Sequence, residues 1–215
     1  MKGSSLSSTT QLPHSTDSTL QSLIKRTVIT ISGPAGSGKS HCACALAEIF
    51  GMQCHSAGSI FRQIARERGL TIEELTAKAE TDPQIDQEID QRSEMLALGG
   101  GIVLEGRLVT FFASKAENKL SFYLTAPFDE RAKRIAEREG ISLDEARGRT
   151  EAREESEKRR YRSLYDLDIM DLSIYDFVVN TAVWDKESEI EVLKKIIETF
   201  FELRLKQLQE YINKQ

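Results

Sequence analysis

The chain has 215 residues and a net charge of −5, so it offers no broad positive surface for nucleic acid or an anionic membrane. We therefore expect neither as a partner. No apolar run approaches the roughly 20 residues that cross a bilayer. The three cysteines are an odd number, which is typical of a reducing compartment, and we expect a cytoplasmic protein.

The first part of the chain differs in composition from the rest. Residues 1–22 are dominated by Ser, Thr and Gln and hold few apolar side chains. Such a segment buries too little surface to offset the entropy lost on ordering. We predict a disordered tail over residues 1–25 and one domain over residues 26–215. An organellar transit role is the less favoured alternative, because the tail is Ser-rich but poor in basic residues.

A complete G-x-x-x-x-G-K-[ST] motif follows a β-branched run at residues 27–31 and opens a helix-compatible stretch at residues 40–50. At a strand-to-helix turn, this motif is a phosphate-binding loop whose backbone N–H groups converge on anionic oxygens. Lys39 would contact the β- and γ-phosphates of ATP, and Ser40 would ligate Mg²⁺. The predicted ATP site comprises Gly33, Pro34, Ala35, Gly36, Ser37, Gly38, Lys39 and Ser40.

Predicted strands alternate with helical segments along the domain. This alternation requires crossovers, and it predicts an α/β, P-loop NTPase-type three-layer fold with a mainly parallel sheet. A helical insertion at about residues 60–98 is interrupted at Asp82-Pro83, and a charged tract at about residues 131–165 is broken near Gly140. A closing helix covers residues 187–213. The strands are predicted at residues 27–31, 52–56, 102–105, 120–124 and 177–180.

The turn after the second strand indicates the type of acceptor. Residues 56–62 contain Arg62 but no carboxylate that could deprotonate a hydroxyl. A phosphate acceptor needs no base, because it is already anionic, and the obstacle becomes repulsion between two polyanions. Arginine can neutralise this repulsion, because its guanidinium is planar and permanently charged. GTPases are excluded, because Ser121 stands where the N-K-x-D motif needs an acid.

Further charged residues follow the strands or lie in the tract. We favour phosphate contacts over surface salt bridges for Arg62 and for Arg107, which follows the third strand. Glu105, at the end of that strand, is predicted to hold Mg²⁺ through water or to pair with Lys39, and the two roles are compatible. For the arginines of the tract, phosphate contacts and i,i+4 salt bridges remain equal alternatives.

Five segments in order resemble the cytidylate kinase family of nucleoside-monophosphate kinases, most like its archaeal-type branch. The resemblance extends over about residues 27–186, and its landmarks are residues 31–40, 56–62, 104–107, 153–161, and 172–176 before Asn180-Thr181. It implies transfer of the ATP γ-phosphate to CMP or dCMP, giving ADP and CDP or dCDP, with Mg²⁺ as cofactor. We expect a monomer whose partners are these nucleotides.

The resemblance also implies individual roles. Acceptor binding is assigned to Ser56, Gly58, Phe61, Arg62, Gly106 and Arg107. Metal binding is assigned to Ser40 and Glu105, and the tract at residues 131–165 becomes a mobile lid. Helical spacing places residues 153, 157 and 160 on one face, so Glu157 is predicted to hold both arginines. The catalytic residues would be Lys39, Arg131, Arg153 and Arg160.

Base recognition is where the sequence departs from the family pattern. Bacterial members carry an Asp directly after the Gly-Arg pair that helps to recognise cytosine, but Leu108 stands here. Asp86, Asp90 and Arg92 in the insertion are candidates for that role, with solvated helix charges as the alternative for each. Trp184 is expected to lie against the adenine or in the core.

Two other functions remain as alternatives. An adenylate-type or other small-molecule kinase would share the fold and the phosphate-binding loop. A nucleotide-binding adaptor without turnover would use the amphipathic closing helix to hold a partner. The adaptor would not need the acceptor arginines, so Arg62 and Arg107 favour an enzyme.

Overall fold

The computed structural model describes residues 14–169 and 171–214. Its strands are β1 (Thr27–Ser32), β2 (Gln53–Ser56), β3 (Ile102–Glu105), β4 (Asn118–Thr125) and β5 (Phe177–Asn180). They form one parallel sheet in the order β2-β3-β1-β4-β5. All five predicted strands are present, with ends that shift by at most two residues. The predicted α/β architecture with a parallel sheet is confirmed.

Helices occupy most of the chain between the strands, as the alternation predicts. A short 3-10 turn follows α6, and another follows β5. The α-helices of the described residues are α1 (His14–Lys25), α2 (Lys39–Phe50), α3 (Ala57–Glu67), α4 (Ile72–Ala79), α5 (Pro83–Gly99), α6 (Val109–Phe112), α7 (Phe128–Glu139), α8 (Leu143–Tyr165) and α9 (Lys186–Ile212).

Local chemistry sets the helix boundaries that the sequence predicts. The Asp82 side chain accepts the Gln84 N–H, and Pro83 follows at the first helical position, so α5 begins here. Gly140 ends α7 in the left-handed region, where a glycine carries no steric penalty. The Ser142 hydroxyl then accepts the Glu145 N–H and starts α8. The insertion and the charged tract are therefore each split into two helices.

Strand register brings the functional segments together. Ile31 of β1 pairs with Glu105 of β3, and Glu105 pairs with Ser56 of β2 on its other side. The carboxyl ends of these three strands therefore lie at one edge of the sheet, where ligands bind in open α/β folds. The phosphate-binding loop, the turn after β2 and the loop after β3 all begin at this edge.

The core lies on both faces of the sheet. Every residue of β1 is buried, as expected for a central parallel strand. Ile29 and Ile31 pack with α2 and α9 on one face. Val28 packs with residues of β3, α5 and α6 on the other face. Helices α3, α4 and α5 share a smaller apolar cluster, and Leu96 of α5 packs against both this cluster and the one around Val28.

The expectation of a disordered tail through residue 25 is wrong for α1. Leu23 and Ile24 are buried in the main core, and Leu20 packs against it beside α9. Positions 20, 23 and 24 have the i, i+3, i+4 spacing of an apolar helix face, which a count of Ser, Thr and Gln ignores. Residues 1–13 of the predicted tail lie outside the described residues. None of the described helices has the length and apolar character of a membrane span.

Candidate active site

The phosphate-binding loop turns tightly between β1 and α2. Gly33 has φ +144°, and a Cβ there would lie 2.1 Å from the carbonyl oxygen of Leu124. Gly36 has φ +77°, and a Cβ would lie 2.6 Å from the carbonyl oxygen of Arg131. Both positions therefore require glycine for conformation and for space. The loop packs against β4 and α7 and leads directly into α2. Its backbone N–H groups therefore lie at the N-terminus of that helix.

Lys39 is folded back over the loop. Its Nζ donates to the carbonyl oxygen of Pro34 at 2.7 Å. Burial lowers the pKa of Lys39 to about 8, and the nearby Glu105 carboxylate opposes that shift. Arg107 and Arg153 lower this pKa further, whereas Glu157 raises it, so Lys39 is electrostatically coupled to all three side chains. An incoming anion beside Lys39 would favour its charged form.

Ser40 and Glu105 meet at the loop. The Ser40 hydroxyl donates to Glu105 Oε1 at 2.8 Å. This hydrogen bond joins the start of α2 to the end of β3. The pair presents a hydroxyl and a carboxylate, the hard oxygen ligands that Mg²⁺ prefers. These two side chains therefore fit the predicted metal role in their chemistry and their mutual distance.

Two arginines of α7 fasten the loop from outside. Arg131 Nη1 donates to the carbonyl oxygen of Ala35 at 3.1 Å and lies 2.5 Å from Glu154 Oε1 of α8. Arg134 Nη1 donates to the carbonyl oxygen of Gly36 at 3.3 Å and also contacts Thr181. Arg131 is buried against protein groups, and it ties the loop to α8.

A cavity of about 710 Å³ lies beside the loop, between the insertion and α8. Ser56 and Gly106, two of the predicted acceptor residues, shape it without lining it. The Ser56 hydroxyl caps α3 by accepting the Ser59 N–H at 2.8 Å, and a Cβ at Gly106 would lie 2.9 Å from Val109. Arg131 of the predicted lid does not line it either, but the remaining predicted residues do: Gly58, Phe61, Arg62, Arg107, Arg153 and Arg160.

Glu157 joins two of these arginines. Its Oε1 accepts from Arg153 Nε at 2.8 Å on the same helix. Its Oε2 lies 2.7 Å from Arg107 Nη2 without hydrogen-bond geometry. Glu157 is almost fully buried. The predicted contact with Arg153 is present, but the second partner is Arg107, because α8 crosses the loop after β3.

Arg160 contacts the insertion instead. Its Nε lies 3.1 Å from Asp86 Oδ2 of α5, again without hydrogen-bond geometry. A second link joins the same helices, because the Tyr165 hydroxyl donates to Asp90 Oδ2. Burial raises the pKa of Asp90 to about 7, which the Tyr165 hydrogen bond opposes. Sequence patterns did not indicate this tyrosine.

Arg92 does not belong to this group. It pairs with Glu67 and Glu88 at the outside of the insertion, so for Arg92 the interpretation as a helix charge is the correct one. Trp184 is 41% exposed, which contradicts the alternative of a core position. The amphipathic closing helix leaves four large apolar side chains exposed toward its end: Leu203, Leu208, Tyr211 and Ile212.

Unsatisfied polar atoms concentrate at this site. In folded proteins, buried polar atoms nearly always have a hydrogen-bond partner, and each exception requires an explanation. Within the described part of the chain, every buried side-chain oxygen or nitrogen without a hydrogen bond belongs to the loop or to the cavity, and all but Ser37 Oγ lie in the two ion pairs Arg107–Glu157 and Arg160–Asp86. These atoms are Ser37 Oγ, Asp86 Oδ2, Arg107 Nη2, Glu157 Oε2 and Arg160 Nε.

Comparison with known proteins agrees with this geometry. The model of the cytidylate kinase-like family matches residues 28–183. Cytidylate kinase of Staphylothermus marinus is 46% identical over 173 residues, which cover 80% of this chain and 97% of that protein. Cytidylate kinase of Methanopyrus kandleri is 43% identical over 183 residues, covering 81% of this chain and 95% of that protein.

A solved structure supports the fold independently. Shikimate kinase from Bacteroides thetaiotaomicron superposes with a TM-score of 0.57 at 14% identity, covering 80% of this chain and 98% of that one. At this identity, the likeness concerns the fold alone, and it supports the α/β architecture with a parallel sheet. The family match and the identities above confirm the resemblance seen in the sequence, and the chain belongs to the cytidylate kinase-like family.

Proposed function

We propose that this chain is a kinase that transfers the γ-phosphate of ATP to CMP or dCMP, giving ADP and CDP or dCDP. The observation that carries the proposal is the position of the phosphate-binding loop beside a cavity that is lined by Arg62, Arg107, Arg153 and Arg160. A phosphate-binding loop beside an arginine-lined cavity is what a reaction between two phosphorylated substrates requires.

The donor triphosphate would lie along residues 33–40. The backbone N–H groups of the loop and the N-terminus of α2 favour its oxygens. Lys39 adds a positive charge where negative charge accumulates during transfer, and its depressed pKa means that triphosphate binding also secures its proton. Ser37, whose hydroxyl is buried and unpartnered, is available to the same phosphates.

The acceptor phosphate would lie between Arg62 and Arg107. A monophosphate dianion attacks without a general base, so the site needs charge neutralisation and alignment. Arg107 Nη2 pairs with Glu157 Oε2 at 2.7 Å, and the guanidinium has further N–H groups that can donate to a phosphate oxygen. The guanidinium is thus oriented before the substrate arrives, and less entropy is lost on binding.

Helix α8 would act as the lid. Arg153 faces the cavity from α8 and would neutralise the transferring group once both nucleotides are bound, whereas Arg160 lies beside Asp86 and compensates the charge of that carboxylate. Closure also excludes water, which suppresses hydrolysis of ATP. Arg131 contributes by connecting the phosphate-binding loop to Glu154, so that α8 and the loop move together.

Mg²⁺ would be held by Ser40 and, directly or through water, by Glu105. When bound it neutralises charge on the donor phosphates. The hydrogen bond between these side chains keeps both oxygens at the end of β3, beside the phosphate-binding loop. Their task is to fix the ion relative to Lys39, so that the donor is presented to the acceptor in one orientation.

Initial rates with ATP and a panel of nucleoside monophosphates test the proposal. We expect CMP and dCMP to be phosphorylated with a kcat/KM at least tenfold above those of UMP, AMP and GMP. A preference for AMP would indicate an adenylate-type kinase instead. ATP binding without transfer to any monophosphate would favour the adaptor, whose partner surface would be the exposed end of α9.

A further inference from the structure

We infer that Asp86 selects the acceptor base by accepting a hydrogen bond from the 4-amino group of cytosine. The inference deepens the proposed function and rests on its acceptor site. It assigns base selection to α5 of the insertion, and it explains how the site works with Leu108 at the position after Gly106-Arg107.

The environment of Asp86 is that of a ligand-binding carboxylate. Asp86 is only 8% exposed, yet it lines the cavity. Its Oδ2 accepts no hydrogen bond, although a buried carboxylate oxygen ordinarily does. Arg160 Nε lies 3.1 Å from this oxygen and compensates its charge, but a carboxylate has about four lone-pair sites, and the ion pair leaves others that can accept a hydrogen bond. A donor from a bound molecule would complete the site.

Charge sorts the cavity into two parts. Arg62 lies in the second turn of α3 and Arg107 lies two residues after β3, whereas Asp86 and Asp90 lie on α5. A phosphate dianion is attracted to the first pair, whereas on α5 it would meet the Asp86 carboxylate, whose charge Arg160 already compensates. A nucleoside monophosphate therefore binds with its phosphate toward the arginines, which directs its base toward the carboxylates of α5.

Hydrogen-bond chemistry then distinguishes the pyrimidines. A carboxylate only accepts hydrogen bonds. Cytosine presents an amino donor at position 4, while uracil presents a carbonyl oxygen that a carboxylate repels. Burial raises the pKa of Asp86, and the Arg160 guanidinium opposes that shift and favours the charged, acceptor-only form. Asp90 is the less suitable acceptor, because its Oδ2 already takes the Tyr165 hydroxyl.

The ligand itself provides the first test. Dissociation constants of the unaltered protein are measured by calorimetry for CMP and for the monophosphate of the 2-pyrimidinone nucleoside, which lacks only the 4-amino group. We expect CMP to bind about tenfold more tightly or better, because a good base contact is worth on the order of 1–3 kcal/mol. Equal affinities would overturn the inference without any substitution in the protein.

The variant Asp86→Asn then assigns the effect to this residue. An amide both donates and accepts, so it tolerates a carbonyl at position 4. We expect the ratio of kcat/KM for CMP over UMP to fall at least tenfold, and the two ligands of the binding test to become nearly equal in affinity. Glu80→Gln is the matched control, since Glu80 also lines the cavity but is exposed. Its ratio should not change.

The outcomes separate this inference from the proposed function. If CMP is phosphorylated and Asp86→Asn keeps the original CMP preference, base selection lies elsewhere and only the inference fails. If the unaltered protein discriminates the 4-amino group in binding but transfers no phosphate, the proposed function fails and Asp86 keeps its role. If CMP does not bind at all, both are wrong. Melting temperatures of each variant establish that it is folded.

Discussion

Arg107 and Glu157 form a buried ion pair, 2.7 Å between Nη2 and Oε2, that joins the loop after β3 to helix α8. Glu157 also holds Arg153, which is on its own helix. A single buried carboxylate thus connects the arginine proposed for the acceptor phosphate with one proposed for the lid. Removing the Glu157 carboxylate would leave Arg107 and Arg153 without their common partner and would change two sites at once. Substituting one arginine changes one site only.

Arg153→Ala should lower kcat at least ~100-fold with little change in melting temperature. A catalytic arginine is worth on the order of 10³ or more in phosphoryl transfer, whereas an exposed i,i+4 pair is worth under ~1 kcal/mol. The Arg153 side chain is 65% exposed, so its loss leaves no cavity. Arg159→Ala is a matched control, because Arg159 pairs with Glu155 on the same helix and is 70% exposed. Equal kcat for both variants would contradict the lid.

Lys39→Met should abolish turnover and leave the fold intact. The substitution removes a charge beside the transferring phosphate, worth several kcal/mol in the transition state, while the methionine chain keeps most of the volume. The lost hydrogen bond to Pro34 is a single contact within the loop. His41→Ala, an exposed change on the same helix, should keep normal rates. Steady-state kinetics measures turnover, and circular dichroism checks that each variant is folded. An unchanged kcat for Lys39→Met would exclude the proposed role of the loop.

The phosphate-binding loop and the sheet could be predicted because their determinants are local. Motif spacing places the loop at residues 33–40, between a strand and a helix, and β-branched runs mark the strands. The break at Asp82-Pro83 and the start at Ser142 follow from capping chemistry that is encoded within four residues. Parallel register then places Glu105 beside the loop, which is why this acid was predictable from its position at a strand end.

The pairings across α8 could not be predicted in the same way. Helical spacing puts Glu157 equally near Arg153 and Arg160, and only the path of α8 over the loop after β3 gives it Arg107 as a partner. The contact between Tyr165 and Asp90 is likewise set by how two distant helices cross. Helix α1 was missed because composition over a long window hides three apolar residues with helical spacing.

Leu23→Ala should destabilise the protein without slowing the reaction. Leu23 is buried in the main core, and a Leu→Ala change at such a position costs about 2–4 kcal/mol. Helix α1 packs on α9 and is remote from the cavity, so kcat should not change at a temperature where the variant is folded. Gln21→Ala on the same helix is exposed and should be neutral. If both variants unfold like the unaltered protein in denaturant, α1 does not belong to the folded domain.

Glu105→Gln should weaken the metal dependence of the reaction. The amide keeps the hydrogen bond from Ser40 but removes the charge that favours Mg²⁺. Changes in the groups around a metal typically cost 10–100-fold in affinity, so we expect the half-saturating free Mg²⁺ to rise about tenfold. Glu117→Gln, which changes an exposed acid paired with Arg26, should leave it unchanged. A Mg²⁺ titration of activity that is identical for all three proteins would remove Glu105 from the metal site.

The free energy of unfolding should fall as the pH rises, because the folded protein binds a proton at Asp90. Burial raises the pKa of Asp90 from 3.8 to about 7, so between these values the folded state holds a proton that the unfolded chain releases. The free energy of unfolding therefore falls with increasing pH across this window and levels off above it. Tyr165, Asp86 and Arg160 all act on this carboxyl, and the Tyr165 hydrogen bond limits the effect.

Asp90→Asn isolates that contribution, because the amide has the same shape but no charge. Asp90 is partly exposed, so we discount the full linkage energy and expect the unaltered protein to lose about 1–2 kcal/mol more than the variant between pH 5 and pH 8. Urea denaturation at both pH values measures it, with Glu80→Gln as the exposed acidic control. A variant that follows the unaltered protein at both pH values would mean that Asp90 is charged throughout, and that Tyr165 and Arg160 offset its burial completely.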